Sequence, residues 1–170
     1  MTAPAVLGID PGKEGAFAVL PLEGGEPLLL GSLPYSKGDA QPLVRALAAL
    51  LRGVDARLVL AGVELVNSFG MGRQSAFVFG QGVGALLAMC ELEGWPTIRP
   101  RPQAWQATIG ATGKGKAIDP LGPVSRLFPT TNLVPRGCRV PHAGYIDALG
   151  IAEHVRRIAT RAPAAASPFG

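Results

Sequence analysis

The stretch "VLGIDPGKEG", residues 6–15, decides how this chain reads. Val6, Leu7 and Ile9 are apolar, and two of them are β-branched, so residues 5–10 read as a buried strand. The strand ends in an acid, Asp10, and the chain turns at once through Pro11-Gly12. A carboxylate at the tip of a buried strand is costly unless something offsets its charge. That offset has to come from elsewhere in the chain or from outside it.

Working outward, residues 15–21 (GAFAVLP) read as a second strand and residues 28–33 (LLLGSL) as a third, after the turn Glu23-Gly24-Gly25. The three pair as an antiparallel meander. Asp39 caps a helix running to about Leu51, with Leu43, Leu47, Leu50 and Leu51 on one face. Residues 57–64 form a fourth strand, which also ends in an acid, Glu64. If strand 1 is central and parallel to strand 4, Asp10 and Glu64 meet.

The Gly- and Phe-rich loop "NSFGMGRQSAFVFG", residues 67–80, merges into a helix to about Glu93. Phe79, Val83, Leu86, Leu87 and Cys90 recur there at helical spacing. Gly80 and Gly84 lie one turn apart, and each costs about 1 kcal/mol against Ala. Either another helix approaches closely there, or the helix is simply weak. Residues 96–100 make a fifth strand and "QAWQATIG" (103–110) a brief helix. A basic loop with Lys114 and Lys116, a helix over 122–128 and an irregular basic stretch over 129–141 follow. The last helix starts near Ala143, with Ile146, Leu149, Ala152 and Val155 facing the core. The order β-β-β-α-β-α-β-α-α predicts an α/β fold, a five-stranded mixed sheet flanked by helices. One domain spans residues 1–160, and residues 161–170 read as a disordered tail.

No run of eighteen apolar residues escapes interruption by Gly or polar residues, so no membrane span is expected. The N-terminus has no basic segment followed by a long apolar stretch. Cys90 and Cys138 form no CxxC pair, and both read as reduced thiols of a cytoplasmic protein. Net charge is +4, but it is unevenly spread. Residues 1–98 hold 6 basic and 9 acidic side chains, whereas residues 99–139 hold 7 basic side chains against Asp119 alone. Such a block suits a polyanion, or is an ordinary solvated surface.

A third carboxylate, Asp147, sits in the apolar turn "YIDALGIA" of the last helix. Singly, Asp10 could cap a turn, Glu64 could pair with an arginine and Asp147 could complement a helix N-terminus. Together, at two strand ends and a helix start, they form a cluster whose mutual repulsion a divalent cation would reverse. Oxygen donors suit Mg²⁺, which needs only one or two carboxylates per ion. His142, just ahead of the same helix, is either structural or a metal ligand and water-orienting group. His154 reads as structural. Trp105 is expected to pack under the basic loop and Trp95 at a strand start. Phe77 reads mainly as core, and Phe69, between Ser68 and Gly70, as exposed.

The ordered set "GIDPG", "VE" and "HAGYIDALGIA" resembles the RuvC-type Holliday-junction resolvases of the RNase H-like superfamily. The segments "FGMGRQSAFVFGQGVGAL", "RPQAW" and "SRLFP" are more similar to its phage and chloroplast branch. The resemblance covers about residues 5–157. It implies an RNase H-like fold and a homodimer that cuts four-way DNA junctions by symmetric, magnesium-dependent nicks, with Mn²⁺ as a substitute. It implies that Asp10, Glu64 and Asp147 bind two ions per site, Asp10 with Asp147 holding one and Asp10 with Glu64 the other. His142 falls where the family has a further acid or a His, although many members carry a second carboxylate that this segment lacks. DNA contacts would come from Phe69, Arg73, Gln74, Lys114 and Lys116, together with Arg136 and Arg139 of the basic block. The dimer interface would be the helix bearing Phe79, Gly80, Val83, Gly84 and Leu87. The site of action would be cytoplasmic and nucleoid-associated, in a phage-encoded or organellar setting among others.

Three rivals stand beside this reading. One is another RNase H-like nuclease acting on RNA–DNA hybrid or branched DNA. Another is a junction-binding protein without catalysis. The third is a nucleotide-binding enzyme of the sugar-kinase and actin type, which shares the Asp-Gly turn but needs two copies of the fold.

Overall fold

The structure is a computed structural model that describes residues 2–12, 14–33, 40–67, 69–111 and 119–161, without the side chains of 40–43. The Asp39 cap and the tail from residue 162 onward lie outside the described residues. The strands are β1 (Ala3–Asp10), β2 (Ala16–Pro21), β3 (Leu29–Ser32), β4 (Ala56–Val63) and β5 (Thr97–Ile98). The helices are α1 (Ala40–Arg52), α2 (Arg73–Leu92), α3 (Pro102–Thr108), α4 (Leu121–Leu127) and α5 (Ala143–Arg161). The sheet order is β3-β2-β1-β4-β5. The first three strands form the expected antiparallel meander, and β1 pairs in parallel with β4, as β4 does with β5.

Side-chain alternation along β1 builds two cores. Ala5, Leu7 and Ile9 join Phe17, Val19, Leu47, Leu51, Leu86 and Met89 beneath α1 and α2. Val6 joins Ala18, Leu20, Trp105, Val124, Phe128 and the apolar face of α5 on the opposite side. On the α5 side, β1 and β4 present bare backbone. A Cβ on Gly8 would lie 2.6 Å from the Ala148 carbonyl, and one on Gly62 would collide with the Val155 side chain. α5 therefore rests directly on the two central strands.

The β1–β4 register carries an irregularity: Ala5 pairs with Leu58, but Val6 pairs with Leu60. Val59 and Leu60 both pack into the α5-side core as a result. Beyond this bulge, Gly62 faces α5 together with Gly8, and so does Glu64, two residues further on. A strand without it would send Glu64 to the opposite face, because a one-residue slip inverts every side chain.

Several expectations need adjustment. α2 begins at Arg73, so "RQSAFVFG" is helix rather than loop. Leu50 is exposed, while Leu47 and Leu51 are buried. Phe77 is 67% exposed on α2 rather than core. No other part of the described chain lies within 4 Å of a Cβ built on Gly80 or Gly84, so neither glycine admits a helix of its own chain. By length and composition α2 could cross a membrane. Its Val83, Leu86, Met89 and Cys90 are nonetheless buried, and the last three seat it on the sheet as a core helix.

Gly8→Ala is expected to lower stability by about 3 kcal/mol, or roughly 6–12 °C in Tm. Gly82→Ala, in an open stretch of α2, is expected to be neutral or to stabilise by about 0.5–1 kcal/mol. Thermal melts of the two variants check the contrast, and a harmless Gly8→Ala would refute the close seating of α5.

Candidate active site

The last residue of β1, Asp10, is followed by a turn whose geometry is built around its carboxylate. The Gly12 amide donates to Asp10 Oδ1 at 2.9 Å, and the Gly15 amide closes the turn on the Gly12 carbonyl at 2.9 Å. A Cβ at position 12 would sit 3.1 Å from that oxygen, so glycine allows the amide to come this close. Asp10 is only 9% exposed. Burial raises its pKa, and the Gly12 hydrogen bond only partly offsets the rise.

Glu64 lies one residue past β4, and its amide extends the ladder to the Ile9 carbonyl at 3.0 Å. Its side chain is held by Trp105, whose indole Nε1 donates to Glu64 Oε1 at 2.7 Å in a buried setting. Among the described residues no arginine pairs with this side chain, the partner considered from the sequence; Arg99 reaches only the Glu64 backbone carbonyl, at 3.4 Å. Burial raises the Glu64 pKa, the Trp105 hydrogen bond lowers it, and the Asp10 charge raises it again.

Asp147 projects from the first turns of α5 and is half-buried. Its pKa is pushed up to about 7, first by burial and then by the charges of Asp10 and Glu64. The charges of the three acids act on one another in these shifts. Among the described residues none of them forms an ion pair.

Among the described residues no group of three His, Cys, Asp or Glu side chains is arranged to hold a metal ion. Mg²⁺ takes only one or two carboxylates, so a pair of these acids would suffice for an ion. The donors are all oxygen, and their shared negative charge is uncompensated by described side chains. His142 adds a second observation. Its Nδ1 is buried with no hydrogen-bond partner among the described residues, and its ring packs tilted against Tyr145, centroids 4.8 Å apart. The His142 carbonyl accepts the Tyr145 and Ile146 amides at the start of α5. His154 is structural as expected, with Nδ1 2.6 Å from Thr108 Oγ1.

The remaining candidates spread over the surface. Phe69 is 97% exposed at the tip of the β4–α2 turn, where its amide donates to Asn67 Oδ1. Arg73 and Gln74 are exposed in the first turn of α2. Arg136 and Arg139 are exposed between α4 and α5. Lys114 and Lys116 lie outside the described residues. Along α2, Gly80 and Gly84 are exposed, Phe79 and Leu87 half-buried and Val83 buried. The hydrogen bond from Trp105 is the functional contact that sequence reading did not anticipate. A Trp that is deeply buried needs a partner for its N–H, but nothing in the order of residues names Glu64 as that partner.

The Asp147 shift has a signed consequence for protein stripped of divalent ions. Its pKa rises from 3.8 to about 7 on folding, so the native state holds a proton that the unfolded chain releases in between. The resulting stabilisation is present at acid pH and is lost as pH climbs through about 7. The Tm of the native chain should therefore fall relative to that of Asp147→Asn over that climb. Paired melts across the pH range check it, and a native chain that gains on Asp147→Asn as pH rises would refute the shift.

No protein-family model matches the sequence, and no curated protein does. Solved structures do match. The structure of Thermus thermophilus RuvC aligns at 23% identity and TM-score 0.64 over 88% of this chain and 92% of that one. T. thermophilus RuvC in complex with Holliday junction substrate aligns at 22% identity and TM-score 0.62 over 88% of this chain and 90% of that one. With its five-stranded mixed sheet and flanking helices, this chain has the RNase H-like α/β fold that those structures share.

Proposed function

We propose that the protein is a structure-selective endonuclease that resolves four-way DNA junctions by paired, metal-dependent phosphodiester hydrolysis. The observation that carries this is the convergence of Asp10 and Glu64, both buried, with half-buried Asp147, their charges acting on one another and without an ion-pair partner among the described residues. The likeness to a RuvC structure that holds a Holliday junction supports the choice of substrate.

Asp10, Glu64 and Asp147 would hold the divalent ions, which when bound supply Lewis acidity and a more acidic water at the scissile phosphate. The chain's own groups prepare the pocket. Its buried walls exclude bulk water and strengthen each charge. The Gly12 amide and the Trp105 indole fix Asp10 and Glu64 without cancelling their charge. His142, whose carbonyl starts α5, would orient the attacking water. On the surface, exposed Arg73, Arg136 and Arg139 would meet phosphates, and Phe69 would offer an apolar wedge where stacking is broken at a crossover. Two strands must be cut, and a twofold dimer supplies two sites by symmetry. The open glycines of α2, next to exposed Phe77, suit a partner helix.

The test is to incubate the protein with a synthetic four-way junction, a duplex and an RNA–DNA hybrid, with and without Mg²⁺. Paired nicks in the junction alone, dependent on Mg²⁺, are expected. Equal cutting of the hybrid would favour a different RNase H-like nuclease, and binding without cutting a passive junction binder. Asp10→Asn should reduce cutting by about 10²–10³-fold with junction binding retained.

Phe69→Ala should slow junction cutting by about tenfold while duplex affinity stays unchanged, since a wedge supplies a few kcal/mol at most. Because protons compete with metal for the acids, the Mg²⁺ needed for half-maximal cutting should fall as pH rises past about 7. A requirement that is flat or rises with pH would contradict the burial of Asp147.

A further inference from the structure

We propose that Trp105 is a positioning residue for Glu64, its indole N–H occupying one carboxylate oxygen and leaving the other as the oxygen free for a divalent ion. This rests on the reading of the acid pocket as a metal site.

The geometry is specific. Trp105 is 1% exposed, and its Nε1 lies 2.7 Å from Glu64 Oε1. The indole N–H can only donate, and a carboxylate can only accept, so the pairing is satisfied only while Glu64 is held in place. A neutral donor also fixes the side chain without neutralising it. An arginine in the same place would cancel the charge that a cation needs.

The indole itself is seated on α5, the helix that carries Asp147. A Cβ on Gly150 would fall 2.6 Å from Trp105 Cζ3, so the ring occupies the space that glycine leaves. The far end of α3 is tied to α5 as well. Thr108 Oγ1 lies 2.6 Å from His154 Nδ1, and Arg157 donates to the Thr108 carbonyl at 2.7 Å while pairing with Glu153 at 2.7 Å. Glu64 and Asp147 repel each other, yet this chain of contacts fixes one relative to the other. Trp105 is the link that touches Glu64. Packing alone would be served by Phe at this position; the N–H is what Phe lacks.

Trp105→Phe tests the role through metal affinity, read by the EPR signal of free Mn²⁺. Removal of an outer partner of a metal ligand typically costs 10–100-fold in affinity, so a loss of about tenfold is expected, with cutting recovered at saturating metal. Unchanged Mn²⁺ affinity in a folded Trp105→Phe protein would overturn the proposal. A second measurement leaves Trp105 in place. The chain has two tryptophans, so in Trp95→Phe its emission is the only indole signal. Saturable quenching by Mn²⁺, reversed by excess Mg²⁺ and abolished by Glu64→Gln, is expected. Quenching that survives Glu64→Gln unchanged would overturn it. The two readings fail separately: Mn²⁺ binding with these properties and no cutting of any DNA sinks the nuclease and leaves the positioning role standing. Junction cutting with equal Mn²⁺ affinity in Trp105→Phe does the reverse.

Discussion

The seating of α5 on bare backbone is the constraint on which the rest of the molecule depends. Gly8 and Gly62, adjacent on the two central strands, leave room for α5 to reach the sheet without side chains between them. Ile146, Leu149, Ile151, Ala152 and Val155 bury against that surface and make the contact favourable. The same contact brings Asp147 towards the strand ends that carry Asp10 and Glu64. Hydrophobic burial along the length of the helix thus holds together three like charges at one end of it.

The pocket keeps its charge because the groups that hold it are neutral. A backbone amide holds Asp10 and an indole holds Glu64, and no described cationic side chain pairs with any of the three acids. Arg156 and Arg157 are occupied by Glu153, and Arg52 by Glu93. Burial raises the pKa of Asp10, Glu64 and Asp147 alike, so holding these charges is costly.

α2 shows how much a single chain leaves unexplained by its own packing. Leu86, Met89 and Cys90 account for its inner side. Its outer side carries Phe77, Gly80 and Gly84 with nothing from the described chain against them. These glycines weaken the helix and receive no contact from the rest of the described chain.

Much of this was legible from residue order alone. The meander, the central parallel pair and the helix bearing Asp147 follow from local patterns: period-2 apolar runs, Gly-rich turns and a 3.6-residue apolar stripe. Asp10, Glu64 and Asp147 stood out because each interrupts an apolar segment at its end, where a charge has no local reason to be. The exposure of Phe77 was not legible, since an aromatic at helical spacing looks the same whether it faces the sheet or solvent. Nor was the bulge at Val59, which depends on how two strands pair and yet decides which face Glu64 takes. The Trp105–Glu64 hydrogen bond joins residues 41 apart. Sequence by itself determined which elements form and which acids are misplaced in them, because propensity and periodicity act over a few residues. Only the tertiary structure decided which face Glu64 takes and what holds Asp10 and Glu64, because register and helix seating are settled by contacts between distant segments.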